Sequence, residues 1–262
     1  MAAPPLAGRR VLVTRGAHQA GKLSEGLRAL GAEPVKVPVI EIRPPEDFAP
    51  LDRALRELSS YDWLILTSAN TVSAFADRAA ALGLNLAAAS QLKVAAVGEA
   101  TATAARDAGL SVALVPETYV AESLTKGLAG QTRGKKVLLA RAAIARDVIP
   151  HALRTVGATV DVVDAYRNVM PESAPALLRE ALQKRIAAAA FTSSSSVTHL
   201  ADAARQAGIA FPFAGVAAIS IGPITSKTLR DLGWEPAVEA SPSDVPGLLQ
   251  AIVRALAPSL PG

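Results

Sequence analysis

Short runs of apolar residues alternate with longer segments in which apolar positions recur at helical spacing. Trp63–Leu66 and Ala188–Phe191 are apolar throughout, and each leads into a Ser/Thr cluster and then into a helical pattern. Strands that are apolar at every position, alternating with helices, are typical of parallel sheets covered on both faces. The pattern predicts further strands at Val11–Val13, Val35–Ile42, Val94–Val97, Val137–Leu139, Thr159–Tyr166 and Ala217–Ile221. The predicted fold class is therefore α/β with parallel sheets.

The chain also repeats itself at an almost constant offset of 124 to 126 residues. Gly8–Arg15 returns as Gly134–Arg141, and both segments pass from a glycine and two basic residues through an apolar strand to an arginine. The remaining matched pairs are Thr67–Val72 with Thr192–Val197 and Gly98–Thr101 with Gly222–Thr225. The repeat predicts two similar α/β domains that arose by internal duplication and face each other across a cleft.

Proline-rich segments mark the expected crossings between these domains. Arg43–Pro50 and Met170–Pro175 occupy matching places in the two copies, and proline removes a backbone donor and restricts the preceding residue. Gly127–Gly134, at the end of the first copy, is a third candidate boundary. The last residues, 257–262, are expected to form a frayed tail.

Composition removes several classes of function. The 262 residues include no cysteine, which excludes disulfides and thiolate nucleophiles, and the three histidines lie far apart without metal-ligand spacing. The net charge of +4 favours an acidic partner only weakly, and no run of Lys and Arg is interleaved with aromatics as in a nucleic-acid groove. No signal peptide or membrane-spanning stretch is evident, so a cytoplasmic protein is expected.

The Ser/Thr clusters are the strongest local signal for a binding site. Each follows a buried strand and begins a helix, where unpaired N–H groups and the helix dipole favour an anion. Ordinary helix capping by Ser, Thr and Asn is the competing interpretation. The candidate residues are Thr67, Ser68 and Asn70 in the first copy and Thr192, Ser193, Ser194 and Ser195 in the second.

Two further matched pairs end predicted strands. Gly98 and Gly222 stand at strand-to-helix turns, with Thr101 and Thr225 three residues later; the alternative is a tight turn that only glycine permits. Neither segment is a GxGxxG or Walker A sequence, so nucleotide binding is unsupported. Arg15 and Arg141 follow strands at the edge where ligands of parallel sheets bind, and arginine grips carboxylates in bidentate fashion. A solvent-facing loop arginine is the alternative for both.

Two other residue sets bear on catalysis. Ser195, His199 and Asp202 are spaced to share one helix face, but no G-x-S-x-G elbow is present, which argues against a hydrolase triad. Tyr166 breaks the symmetry of the repeat, because its counterpart is Ile40. A phenol there could donate a proton into the cleft, or it could simply pack between domains.

In their order and spacing, these segments resemble the uroporphyrinogen-III synthase family over about residues 8–255. The segments are Val11–Arg15, Tyr61–Val72, Val97–Thr101, Ala165–Arg167, Phe191–Val197 and Ile221–Thr225. The resemblance implies two α/β domains joined by a two-stranded connector, with residues 1–40 and 171–262 in a discontinuous domain and 43–165 in the other. The crossings would then lie near 40–43 and 165–171.

The resemblance also implies the reaction. Hydroxymethylbilane, a linear tetrapyrrole with eight carboxylates, would be closed to uroporphyrinogen III with inversion of its last ring, without cofactor or metal. Tyr166 would be the acid that assists departure of the hydroxyl, and the matched helix N-termini and arginines would hold carboxylates. The expected form is a monomer. A two-domain binding protein for an acidic solute is the alternative that the residues leave open, and a nucleic-acid module is a weaker one.

Overall fold

A computed structural model describes residues 4–16, 20–118 and 121–256. The predicted tail at 257–262 and His18 lie outside these residues. The strands are β1 (Arg10–Val13), β2 (Glu33–Lys36), β3 (Glu41–Arg43), β4 (Trp63–Leu66), β5 (Lys93–Ala96), β6 (Val112–Leu114), β7 (Lys136–Ala142), β8 (Thr159–Val169), β9 (Ala188–Phe191), β10 (Ala217–Ser220) and β11 (Pro236–Glu239). The helices are α1 (Gly21–Ala29), α2 (Ala49–Arg56), α3 (Ala69–Ala81), α4 (Glu99–Asp107), α5 (Ala121–Leu128), α6 (Val148–Thr155), α7 (Ala174–Ala181), α8 (Ser194–Ala207), α9 (Pro223–Asp231) and α10 (Val245–Leu256).

The chain divides into two compact units. One unit contains residues 1–42 and 169–262, and the other contains residues 43–168. The chain leaves the first unit within β3 and returns to it at the end of β8. Each unit therefore has its own sheet and its own core.

The first unit is built on a sheet of five strands in the order β11-β10-β9-β1-β2, and the strand pairings are parallel. Successive residues of its central strands face opposite layers. Leu12 packs into one apolar cluster, while Val11 and Val13 pack into another. A sheet buried on both faces needs apolar residues at every position, which explains the uninterrupted runs in the sequence.

The second unit follows the same principle, with six strands in the order β3-β8-β7-β4-β5-β6. Leu64 and Leu66 of β4 face one cluster, whereas Trp63 and Ile65 face the other. The pairings of β4 with β5 and β7, of β5 with β6 and of β7 with β8 are parallel. The predicted α/β class with parallel sheets is confirmed.

Two predicted strands end at different places. The predicted strand Val35–Ile42 is wrong as one element, since β2 ends at Lys36 and β3 begins at Glu41. Pro38 has no N–H to donate and interrupts the ladder, although the amides of Val37 and Val39 still donate to carbonyls at the end of β1. The strand predicted to end at Tyr166 continues to Val169.

Candidate functional site

Four parallel strands of the second unit bring most of its predicted site residues to one edge of the sheet. This is the edge at which the strands end, called here the carboxyl edge. Thr67, Ser68 and Asn70 follow β4, Gly98 and Thr101 follow β5, and Arg141 and Tyr166 lie near the ends of β7 and β8. Ligands of open parallel sheets bind outside this edge.

Ser68 begins α3 and organises the hydroxyls around it. Its backbone is extended, and its Oγ accepts from the amide of Thr71 at 3.1 Å. The Ser68 hydroxyl also lies 2.9 Å from Thr71 Oγ1, which in turn lies 3.3 Å from Thr67 Oγ1. Capping by Ser68 therefore satisfies one helix amide and anchors three hydroxyls. Asn70, at the second position of the helix, is half-buried.

Tyr166 is joined to this hydroxyl group. Its Oη lies 3.3 Å from Ser68 Oγ, and either atom is able to donate. The side chain is 6% exposed. The register between β7 and β8 shifts just before Tyr166, so that Arg141 pairs with Asp164 but Ala142 pairs with Tyr166. A bulge of this kind re-aims a side chain, and bulges are common beside active sites.

Arg141 is engaged with its own loop. Its Nη1 lies 2.8 Å from the carboxylate of Asp147 and donates to the carbonyl of Arg146 at 3.2 Å. The side chain is 13% exposed, and its Nε is buried without a hydrogen-bond partner. The sequence predicts that this guanidinium binds a carboxylate of a ligand. In the structure it binds Asp147 and the carbonyl of Arg146, both in its own loop.

Gly98 begins α4 without any side-chain cap. Its φ of −156° and ψ of 167° are extended, so the conformation does not require glycine. The amides of the first turn therefore face the carboxyl edge without competition from a capping side chain. Thr101 is 5% exposed, and its hydroxyl belongs to the interior of this unit.

The carboxyl edge of the first unit gathers the other predicted residues. Arg15 follows β1, Thr192–Ser195 follow β9, and Gly222 and Thr225 follow β10. Partial burial lowers the pKa of Arg15 below its ordinary value, and arginine remains charged at neutral pH. Thr192, Ser193, Ser194 and Ser195 are half-buried, whereas Thr225 is 4% exposed.

Ser193 caps α8 through a capping box. The amide of Ser196 donates to Ser193 Oγ at 3.2 Å, and the amide of Ser193 donates to Ser196 Oγ at 3.3 Å. The next residue links two helices, because Thr228 of α9 donates to Ser194 Oγ at 2.9 Å. The starts of α8 and α9 are therefore tied together at this edge.

Replacing Ser193 with alanine is expected to lower the free energy of unfolding by about 1 kcal/mol, the typical cost of losing an N-cap hydroxyl. Activity should change little, because the backbone amides at the start of α8 remain. Urea unfolding followed by circular dichroism measures the first effect. Ser193→Thr is the matched control, since it keeps a capping oxygen and should recover most of the loss.

Sequence reasoning missed two serines around Gly222. Ser220 Oγ accepts from the amide of Gly222 at 3.2 Å and donates to its carbonyl at 2.8 Å. A Cβ at Gly222 would lie 2.9 Å from Ser243 Oγ, so a larger residue there would require the Ser243 hydroxyl to shift, and the φ of 172° is ordinary extended backbone. The available signal for Ser243 was its place in the loop between β11 and α10, the fourth strand-to-helix loop of this edge in chain order.

The residues considered as a hydrolase triad are not assembled. His199 Nδ1 lies 2.9 Å from the carbonyl oxygen of Val39, and Asp202 forms an ion pair with Arg205. Ser195 Oγ has no hydrogen bond to His199 in the described structure. Within residues 4–16, 20–118 and 121–256, no group of three or more His, Asp or Glu side chains is placed to hold a metal ion. The same residues include no helix that is long and apolar enough to span a membrane.

Comparison with known proteins decides the family. The family model described as "Uroporphyrinogen-III synthase HemD" matches residues 21–250. The chain belongs to the uroporphyrinogen-III synthase family. A curated uroporphyrinogen-III synthase from Synechococcus elongatus is 36% identical over 257 residues, covering 96% of this chain and 97% of that protein.

Two further similarities agree with this family. The porphyrin biosynthesis protein HemD of Ruminiclostridium josui is 32% identical over 86% of this chain, which spans 44% of that longer protein. A mutant uroporphyrinogen III synthase from the extremely thermophilic bacterium Thermus thermophilus has a TM-score of 0.68 at 23% identity, covering 95% of this chain and 99% of that one. This structural likeness shows that the fold is shared.

Proposed function

We propose that this protein is a uroporphyrinogen-III synthase that cyclises hydroxymethylbilane to uroporphyrinogen III and inverts the last pyrrole ring. The observation that carries the proposal is the family match over residues 21–250, together with the full-length similarity to a curated enzyme of that name. The alternative of a non-catalytic two-domain binding protein is not favoured by these comparisons.

The chemistry of the carboxyl edges supports this function. The substrate carries eight carboxylates, so it needs several anion sites distributed over a surface. Each unit supplies a helix start capped by serine, at Ser68 or Ser193, and a helix that begins at a glycine without a side-chain cap, at Gly98 or Gly222. The starts of α1 and α6 also have no side-chain cap. Uncapped amides at a helix N-terminus are suited to a carboxylate oxygen. We assign carboxylate binding mainly to the two glycine-started helices.

Tyr166 is the proposed acid. The Ser68 hydroxyl accepts from the Thr71 amide and has one proton to give, either to Thr71 Oγ1 or to Tyr166 Oη. When Ser68 donates to Oη, the phenol proton is free for the hydroxyl group of the bilane. That proton leaves with the hydroxyl as water, and the methylene carbon left behind is attacked by the substituted carbon of the last ring to give a spirocyclic intermediate. The bond from that ring carbon to its original methylene bridge then breaks, and the bridge re-forms at the neighbouring unsubstituted carbon, which inverts the ring. The proton released from that second carbon balances the one that the phenol supplied.

Most of the selectivity must come from geometry, because the bilane closes without help to the uninverted isomer. Holding the last ring so that its substituted carbon meets the methylene converts a disfavoured path into the dominant one. Well-oriented groups in one complex react with effective molarities of about 10⁵ M or more. The distributed carboxylate contacts are the means of orientation that these edges offer.

The product isomer tests the function directly. The protein is incubated with freshly generated hydroxymethylbilane, the products are oxidised, and type I and type III uroporphyrins are separated by chromatography. We expect type III to dominate and to form faster than type I does in a protein-free sample. Formation of type I alone, at the protein-free rate, would refute the assignment.

The proposal includes a monomer that acts in the cytoplasm. Each carboxyl edge is complete within a single copy of the chain, which supports a monomeric enzyme. Sedimentation equilibrium over a range of concentrations tests the oligomeric state, and cell fractionation tests the location.

A further inference from the structure

The loop between β7 and α6, residues 143–147, lies at the carboxyl edge of the second sheet beside Tyr166. β7 ends at Ala142, and α6 begins at Val148. The amide of Ala143 donates to the carbonyl oxygen of Tyr166 at 2.9 Å. The loop therefore starts in direct contact with the backbone of the proposed acid.

Charged contacts hold this loop in place. Arg141 contacts the Arg146 carbonyl and the Asp147 carboxylate, so one guanidinium bridges the far end of the loop to β7. Arg146 in turn lies 3.3 Å from the carboxylate of Glu122 in α5. The loop is thus fixed at both ends, and its tip is presented in a defined position.

The tip is apolar and exposed. Ile144 is 89% exposed, and it is flanked by Ala143 and Ala145. A single exposed apolar side chain is ordinary on a protein surface. Here the side chain stands on a tethered loop whose first amide, that of Ala143, binds the backbone of the proposed acid, at the edge where ligands of parallel sheets bind.

The carboxyl edge of the first unit repeats this feature. The large hydrophobic residues that are exposed in the described part of the chain are Ile144, Ile224 at 46% and Leu232 at 38%. Ile224 is the second residue of α9, directly after the uncapped start at Gly222 and Pro223. Each unit therefore has an exposed isoleucine, Ile144 or Ile224, at the carboxyl edge where its predicted hydroxyl and amide ligands lie.

A linear tetrapyrrole matches this combination of groups. Its carboxylates suit helix amides and hydroxyls, whereas its flat pyrrole rings need apolar contacts that those groups do not offer. We propose that Ile144 packs against the face of a pyrrole ring of the bound bilane and helps to hold that ring next to Tyr166. This inference rests on the proposed function and adds a specific contact to it.

Replacing Ile144 with serine is expected to raise KM for freshly generated hydroxymethylbilane about tenfold, with kcat changed less than twofold, because the lost apolar contact weakens binding. Initial rates of type III formation over a range of bilane concentrations separate KM from kcat. Ile144→Leu should keep KM within about twofold of the original protein. The side chain is exposed, so the thermal unfolding midpoint should not change.

Leu232→Ser is the matched control, because Leu232 is also exposed but follows the last residue of α9, at the opposite end of that helix from Ile224. Its KM should equal that of the original protein. If the original protein makes type III and Ile144→Ser has an unchanged KM, the inference is wrong while the function stands. If Ile144→Ser abolishes a concentration-dependent dimer and leaves KM unchanged, Ile144 belongs to an interface between copies and the inference is equally overturned.

Discussion

Replacing Tyr166 with phenylalanine is expected to lower kcat for type III formation about a hundredfold, the lower range for loss of a positioned general acid. The substitution removes only the hydroxyl, which lies 3.3 Å from Ser68 Oγ. The ring keeps its buried position, so KM should change little. Initial rates at saturating bilane, with the two product isomers quantified, provide the measurement.

Tyr61→Phe is the control for this experiment. Tyr61 lies in the same unit and is as buried as Tyr166, with 7% exposed against 6%. It precedes β4, whereas Ser68 follows β4, so the two tyrosines lie towards opposite ends of that strand. Its hydroxyl donates to Asp161 Oδ2 at 2.8 Å, and burial together with that carboxylate raises the pKa of Tyr61. We expect Tyr61→Phe to lower stability and leave kcat unchanged. An unchanged kcat in Tyr166→Phe would remove Tyr166 as the acid.

The product ratio separates two roles for Tyr166. If the phenol only transfers a proton, the Tyr166→Phe enzyme should still make mainly type III at saturating bilane, once the type I that forms in a protein-free sample over the same time is subtracted. If the phenol also orients the substrate, type I should increase, because a poorly held bilane closes without inversion. The same samples yield both the rate and the ratio.

The sheets were predictable from the sequence, because a strand buried on both faces leaves a continuous apolar run. Trp63–Leu66 and Ala188–Phe191 have the predicted bounds, since every side chain in them packs into one of two core layers. The strand predicted at Val35–Ile42 failed at Pro38, where an apolar residue lacks the N–H that a ladder needs. Proline has an apolar side chain, so the hydropathy pattern alone does not show that this N–H is missing.

The sequence predicts which residues lie at the ends of strands, but it does not predict the contacts that their side chains make. Serines that follow a buried strand became N-caps at Ser68 and Ser193 because local helix geometry favours them there. The engagement of Arg141 with Asp147 depends on how a short loop folds back, which residue spacing does not encode. Exposure of Ile144 was equally hidden, because an isoleucine in a short apolar segment is more typical of a core.

The serine-capped and the glycine-started helices at each carboxyl edge have different proposed roles, the first in stability and the second in binding. A serine cap uses one amide of its own helix and fixes the local hydroxyls, which stabilises the edge. A glycine start stabilises its helix less and provides no side chain that competes with an incoming anion for the first-turn amides. Substitutions of the capping serines should therefore mainly lower the free energy of unfolding, whereas substitutions of the glycines should mainly weaken substrate binding.

Replacing Gly98 with aspartate is expected to raise KM for hydroxymethylbilane about tenfold to a hundredfold, while the free energy of unfolding stays the same or rises by a few tenths of a kcal/mol. An aspartate at the N-cap satisfies the amides of α4 and favours the helix dipole, which is why stability should not suffer. The same carboxylate occupies the proposed anion site and repels the substrate. The charge-assisted hydrogen bonds lost are worth about 1.5–3 kcal/mol each.

Gly98→Asn is the comparison that isolates charge, because asparagine has nearly the same shape and also caps a helix. Both variants should unfold at similar urea concentrations, and the aspartate variant should have the higher KM. Added salt should narrow the difference, since screening weakens repulsion between exposed charges. Equal KM values for the two variants would mean that no substrate carboxylate approaches the start of α4, and carboxylate binding would then have to be reassigned to the serine-capped helices.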